Sequence, residues 1–172
     1  MKLLILGAGE YGQFVRELAR NQFSEIDYLD DNSSIAVGRL GEYKNLKNKY
    51  QNAIVAIGNN EFRDQWLTKL EEAGYSIPIV LSSKAHISPS AVIERGCIVE
   101  PMAVINANAI VKKGSIVSSG AVVNHNAIVN ECCHIDCNAV VGAGAVVPEK
   151  THLNYGQVIK KVSKPDNWNF SE

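Results

Sequence analysis

Two architectures joined end to end are predicted. The first is a small Rossmann-like α/β domain over residues 1–82. The second is a parallel β-solenoid of about four coils over residues 83–162, followed by a polar tail at 163–172. Three observations carry this. Apolar runs alternate with helical patterns in the first half. A glycine-rich turn, "GAGEYG", separates the first run from the first helical stretch. From residue 87 onward an aliphatic residue returns every six positions, a repeat length that matches neither helix nor simple strand alternation.

In the first half, "KLLIL" is a continuous apolar run of the kind buried in a parallel sheet. The glycine turn follows, then "QFVRELARN", with Phe14, Val15, Leu18 and Ala19 at helical spacing. "IDYLDD" reads as a second strand ending in two acids, and "NAIVAIG" as a third ending at "GNN". "EFRDQWLTKLEEAGY" is an amphipathic helix with Phe62, Trp66, Leu67 and Leu70 on one side and Gly74 as its stop. "IPIVL" is expected as the last strand of the same sheet. Alternating strands and helices imply a parallel sheet covered on both faces.

The grammar changes at "SSKAHISPS". Aliphatic residues occupy Ile87, Ile93, Val99, Ile105, Val111, Val117, Val123, Val129, Ile135, Val141, Val147, Leu153 and Ile159. Four residues after each of the first ten sits a small residue, Ala91 through Ala145, including Cys97 and Cys133. The double register predicts short strands and corners. The aliphatic side chain points into a narrow core, the small one fits where the walls converge, and each coil hydrogen-bonds to the next. An ordinary sandwich would show turn signals every eight to twelve residues and no lock at six.

Composition excludes several functions. With Lys+Arg 17 and Asp+Glu 18, the net charge is −1, so no basic excess draws nucleic acid or an anionic membrane surface. "MKLLILGAGEYG" is too short an apolar run for a signal peptide or a membrane span, and a cytoplasmic location is expected. Of the four cysteines, Cys97 and Cys133 fall in the small core slot. "CCHIDC" holds metal-ligating types without the spacing of paired zinc knuckles. No metal is expected.

The polar candidates fall in two places. "GAGEYG" satisfies G-x-G-x-x-G between a strand and a helix, so backbone amides and a helix N-terminus can approach phosphate. Asp30 lies twenty-one residues after Gly9, where an acid can bond ribose hydroxyls. About eighty residues make one mononucleotide half, so a mononucleotide-linked ligand fits better than a dinucleotide. In the repeat, His125 and His134 occupy neither core slot and are expected at or near corners. A neutral imidazole there could remove a proton near neutral pH. The other reading is a solvent-exposed corner histidine. His152 follows His134 by one three-hexad coil and is expected to stack on it at about 4.8 Å, the strand spacing, each ring depressing the other's pKa.

Read in order, "GAGEYG", "LDD", "AIGNNEFR", "SPSAV" and "VNHNAIVNECCHI" resemble the left-handed β-helix sugar acetyltransferases with a small nucleotide-binding domain ahead of the hexapeptide repeat. UDP-4-amino-sugar N-acetyltransferases, perosamine acetyltransferases and sialic acid O-acetyltransferases are of this kind. The resemblance spans roughly residues 2–147. It implies an acetyl-CoA-dependent transferase of bacterial surface glycan biosynthesis acting on a UDP-linked amino sugar, and a homotrimer with sites between subunits.

The resemblance also implies residue roles. His125 matches the general base, oriented by Asn126 where the family usually has an acid, with Glu131 or Asp136 as substitutes for that acid. The diphosphate is expected near Gly7, Gly9, Glu10, Tyr11 and Gly12 and near Gly58, Asn59 and Asn60. The uridine is expected near Asp30 and Asp31. Acetyl-CoA is expected along His134, Gly142, Ala143 and Gly144. Glu10 and Tyr11 depart from the glycine or serine and the histidine common there. The family usually runs several coils beyond this histidine, so a short acyl-CoA groove is expected, and Pro165, Trp168 and Phe170 of the tail are expected to dock on a neighbour or cap the open end of the solenoid. Amine and hydroxyl acceptors both stay open. So does a non-catalytic, trimeric sugar-nucleotide-binding or scaffold protein, and acetyl-CoA consumption would tell them apart.

Overall fold

The computed structural model describes residues 1–161. The expected tail cap lies outside them.

The first half is a three-stranded parallel sheet, β1 (Lys2–Leu6), β2 (Glu25–Leu29) and β3 (Asn52–Val55), in the order β2-β1-β3. Period-two alternation sends Leu3 and Ile5 to one face of β1 and Leu4 and Leu6 to the other. Leu3 and Ile5 pack with Val15 and Ala19 of α1 (Glu10–Ala19). Leu4 and Leu6 pack with Trp66, Leu67 and Leu70 of α2 (Asn60–Glu72). The sheet is therefore covered on both faces, which is why its strands read as unbroken apolar runs. Gly74, at φ 78°, ends α2 in the left-handed conformation.

From Val80 the chain winds into a left-handed parallel β-helix of about four turns. Each strand has two residues, and strands stack in parallel at an eighteen-residue register such as Val122↔Val140. Three faces result. The first stacks Val80–Leu81, Ile98–Val99, Ile116–Val117, His134–Ile135 and His152–Leu153. The second stacks His86–Ile87, Val104–Ile105, Val122–Val123, Val140–Val141 and Val158–Ile159. The third stacks Val92–Ile93, Ile110–Val111, Ile128–Val129 and Val146–Val147. The second residue of each strand points inward. With the small residues Cys97, Ala103, Ala109, Ala121, Ala127, Cys133, Ala139 and Ala145 it forms one buried core, as the double register requires.

Two corrections follow. "IPIVL" does not join the α/β sheet: Val80–Leu81 pairs with Ile98–Val99 and opens the β-helix. Leu81 is thus a hexad residue, six before Ile87. The structure also shows a third register that the sequence reading missed. Three residues after the inward aliphatic, the corner adopts positive φ, at Gly96, Met102, Asn108, Gly114, Gly120, Asn126, Cys132, Asn138, Gly144, Lys150 and Gly156. Glycine and asparagine dominate because this region repels a Cβ and asparagine tolerates it best among side chains.

The α/β domain sits on the first face. The outward residues Val80, Ile98 and Ile116 share one buried cluster with Leu3, Ile5, Val15 and Ala19. Arg63 of α2 pins the junction from the other side. It is fully buried and donates to the carbonyls of Gly114, Cys132 and Cys133 on the β-helix, to those of Ile57 and Gly58, and to Asn60 Oδ1.

Candidate functional site

The glycine loop crosses the carboxyl end of β1, beside the loop that follows β3. In parallel sheets this crevice is where ligands bind. Gly7 has φ 104°, and a Cβ there would meet the carbonyl of Ala56 at 2.7 Å. A Cβ on Gly12 would meet the carbonyl of Gly7 at 2.0 Å, so this glycine lets α1 close on the loop. Gly9 and Gly58 instead border open space. Gly9 is the N-cap of α1 and no side chain caps that helix, which leaves amide groups available to an anion. Glu10 is exposed at the first helical turn.

Several residues expected to hold substrate are already engaged. Asp30 accepts from the backbone amides of Ala8 (2.8 Å) and Asn32 (2.8 Å), fastening the glycine loop to the end of β2. Asp31 accepts from the amide of Leu40 (3.0 Å). Asn59 caps α2 by accepting from the Phe62 amide (2.9 Å). Asn60 donates to the Lys150 carbonyl (2.9 Å) and accepts from Arg63. "GNN" thus builds and tethers the wall of the crevice.

Tyr11 turns away from the loop into a cavity of about 230 Å³ at the domain junction, lined also by Phe14, Glu100, Ser118, His134, Asp136, Cys137 and Tyr155. Its hydroxyl is buried without a hydrogen-bond partner, and burial, then the nearby Glu100 carboxylate, holds it protonated. Glu100 is itself buried and accepts from Ser118 and Ser119. Of these β-helix residues, His134, Asp136 and Cys137 stood in the "CCHIDC" cluster, and Glu100, Ser118 and Tyr155 carried no sequence signal. Ser118 and Asp136 hold the same slot one coil apart, just past the first-face strand, and that column could have been read from the register.

His134 and His152 stack as expected, ring centroids 4.7 Å apart and planes 1° apart. His134 is on a strand of the first face rather than at a corner. One ring nitrogen, Nε2, lies 3.1 Å from Ser118 Oγ, and Nδ1 is buried without a partner. Burial first, then the His152 ring, lowers its pKa to about 4, so His134 is neutral at physiological pH. His152 Nε2 lies 3.1 Å from Asp136 Oδ2. Among the described residues His134, Asp136 and His152 are the one group of metal-ligating types within 4.8 Å of each other. Parallel stacked rings aim their nitrogens side by side, not at a common centre, so binding a metal would require unstacking them.

His125 is elsewhere. It is exposed at the corner between the second and third faces, on the edge opposite the α/β domain. The Asn126 amide lies 3.0 Å from His125 Nδ1. Asn126 also supplies the positive φ of this corner, 57°. Neither expected acid reaches the ring. Glu131 is at the next corner, ion-paired with Lys112 at 3.5 Å, and Asp136 is held by His152 and the amide of Cys137. One coil above His125 runs the corner Gly142, Ala143, Gly144, whose Gly144 amide donates to the His125 carbonyl (3.0 Å). A Cβ on Gly142 would meet the Ile159 carbonyl at 3.1 Å and one on Gly144 the Lys161 side chain at 3.3 Å, so the glycines let the next stretch of chain approach this corner closely. Beside it is a mostly apolar cavity of about 490 Å³ lined by Gly144, Val146, Pro148, Ile159, Lys160 and Lys161. The residues expected for acetyl-CoA therefore split: Gly142–Gly144 lie by His125, and His134 lies across the β-helix.

Comparison with known proteins agrees with this architecture. Residues 2–70 match the PglD N-terminal domain. The acetyltransferase domain of PglB from Neisseria gonorrhoeae is 29% identical, with a TM-score of 0.76 over 93% of this chain and 88% of that one. PerB from Caulobacter crescentus, solved in complex with CoA and GDP-perosamine, is 21% identical, with a TM-score of 0.59 over 94% and 95%. WeeI from Acinetobacter baumannii is 20% identical, with a TM-score of 0.68 over 94% and 90%. The last two show the common fold. This chain spans 88% to 95% of these structures. Residues 2–70 are similar to the PglD N-terminal domain, and an α/β domain ahead of a left-handed β-helix is an architecture that fits a hexapeptide-repeat sugar acetyltransferase.

Proposed function

We propose that the protein is an acetyl-CoA-dependent acetyltransferase acting on a nucleotide-linked amino sugar. One observation carries the reading: an exposed histidine sits at a β-helix corner, beneath a corner of small residues whose Gly144 lines a mostly apolar cavity together with two lysines. An acyl thioester chain with terminal phosphates suits such a groove. The acceptor amine attacks the thioester carbonyl, His125 takes the proton the amine loses, and the CoA thiolate leaves. A structural match to PglB, also solved with acetyl coenzyme A, supports the donor.

The crevice at the glycine loop and His125 lie on opposite sides of one β-helix. A second copy must therefore bring its crevice to this His125. The outward residues of the second and third faces support assembly. Val92, Val146 and Val158 are each more than half exposed, in aliphatic stripes that a threefold arrangement would cover. The nucleotide is read as UDP, with its diphosphate over Gly7, Gly9 and the α1 N-terminus. The amine is preferred to a hydroxyl as acceptor because "AIGNNEFR" and "INANAIVKKG" are closest to the N-acetylating branch.

Acetyl-CoA consumption is the direct test, with UDP- and GDP-linked amino sugars as separate arms. His125→Ala is expected to lower turnover by at least ~10²-fold with the fold intact, because the residue is exposed. Consumption equal to the parent's would remove the catalytic reading. Binding without consumption by the parent would favour the non-catalytic alternative.

A further inference from the structure

His125 lacks the acid that would hold its ring, and the coil below supplies something else. Four asparagines, Asn106, Asn108, Asn124 and Asn126, stand in two columns one coil apart. In the first column Asn106 Nδ2 donates to Asn124 Oδ1 (3.2 Å), which also accepts the backbone amide of His125 (2.8 Å). In the second, Asn108 Nδ2 donates to Asn126 Oδ1 (3.4 Å), and Asn126 Nδ2 lies 3.0 Å from His125 Nδ1. The first column fixes the backbone of His125. The second ends on its ring.

The direction of the second column matters. An amide presents donors on nitrogen and acceptors on oxygen, and turning it by half exchanges them without changing its shape. Asn108 and Asn126 are both exposed, so both can turn. When Asn126 Nδ2 donates to Nδ1, the neutral ring must carry its proton on Nε2 and has no lone pair to offer. When both amides turn, Asn126 Oδ1 accepts from Nδ1–H and Asn126 Nδ2 donates to Asn108 Oδ1. Nε2 is then bare. Only this second direction also accommodates the imidazolium, whose two nitrogens both donate.

We propose that Asn108 is a positioning residue: by donating to Asn126 Oδ1 it holds Asn126 Nδ2 on His125 Nδ1, and so sets which tautomer the ring adopts. This rests on the reading of His125 as the base, but its test does not. An acceptor-only side chain at 108 forces the productive direction, since it takes the Asn126 Nδ2–H and leaves Oδ1 for the ring. Aspartate does this and tolerates the left-handed φ of 59° at Asn108. Glycine removes the column's base while suiting the same backbone.

The experiment is nitrogen-15 NMR of histidine-labelled full-length protein, parent against Asn108→Asp and Asn108→Gly, at a pH where His125 is neutral. The His125 signals are assigned by their loss in His125→Gln. Asn108→Asp is expected to shift the tautomer ratio about tenfold toward Nδ1–H, the size of one net hydrogen bond. Asn108→Gly, which frees Asn126 Oδ1 to face the ring, is expected to shift it in the same direction by less. The same ratio in all three proteins overturns the proposal. In turnover assays Asn108→Asp is expected to raise kcat without changing KM. A tautomer shift with no change in turnover supports the relay and counts against His125 as base, so the two claims fail separately.

Discussion

Replacing Arg63 with methionine keeps an unbranched chain of similar girth and deletes every charge-assisted donor at the domain junction. Arg63 makes six hydrogen bonds, three of them to the β-helix carbonyls of Gly114, Cys132 and Cys133. Cys133 keeps the amide of Ile116 as a partner. Gly114 and Cys132 are left with buried carbonyls and no donor. Each such orphan costs about 1–3 kcal/mol, so two cost about 4 kcal/mol. The guanidinium's own burial, which already lowers its pKa, offsets a part of this. For a chain of this size about 4 kcal/mol lowers Tm by roughly 8–16 °C. Thermal unfolding at fixed protein concentration reads the effect, because the proposed assembly would make Tm concentration-dependent. A drop of less than about 3 °C would refute the assignment of Arg63 as the clasp between the domains.

Other expectations follow from single residues. Glu10→Gly is expected to tighten UDP by on the order of 1 kcal/mol, the Coulomb energy of unit charges ~4 Å apart in water, with the gain shrinking in salt; no change by calorimetry would move the diphosphate away from the glycine loop. The depressed pKa of His134, about 4 against 6.5 for an ordinary histidine, means that the unfolded chain binds the extra proton. Stability is then full above pH 6.5 and is lost as pH falls toward 4, and His134→Gln is expected to flatten that part of a denaturation-versus-pH curve. Val146→Asp puts a charge on an aliphatic stripe of the third face; it is expected to reduce a trimer to monomers by light scattering without unfolding the coil, since this side chain is exposed.

The sequence by itself determined the β-helix, its register and its core. A six-residue period with an aliphatic and a small slot leaves one way to bury both, and Cys97, Cys133 and Val123 stand in the core where that period puts them. The stacking of His134 on His152 followed from the same eighteen-residue coil. The strands of the α/β domain were legible because each is apolar on both faces, and β1, β3 and the glycine turn stood where expected. Periodicity could not say which sheet a short apolar run joins, so Val80–Leu81 was assigned to the wrong one. What only the tertiary structure decided was the set of partners. Asp30 and Asn59 carry acceptors that suit a ligand and a backbone amide equally, and folding placed the amide nearer. Arg63 looks like any helical arginine until the β-helix brings it carbonyls from residues 114, 132 and 133. Likewise Glu131 is six residues from His125 in the chain, yet one full corner away in space. A hexad advances the chain by one face, so neighbours in the β-helix are eighteen residues apart, and it is Asn108 rather than Glu131 that stands behind Asn126 and His125.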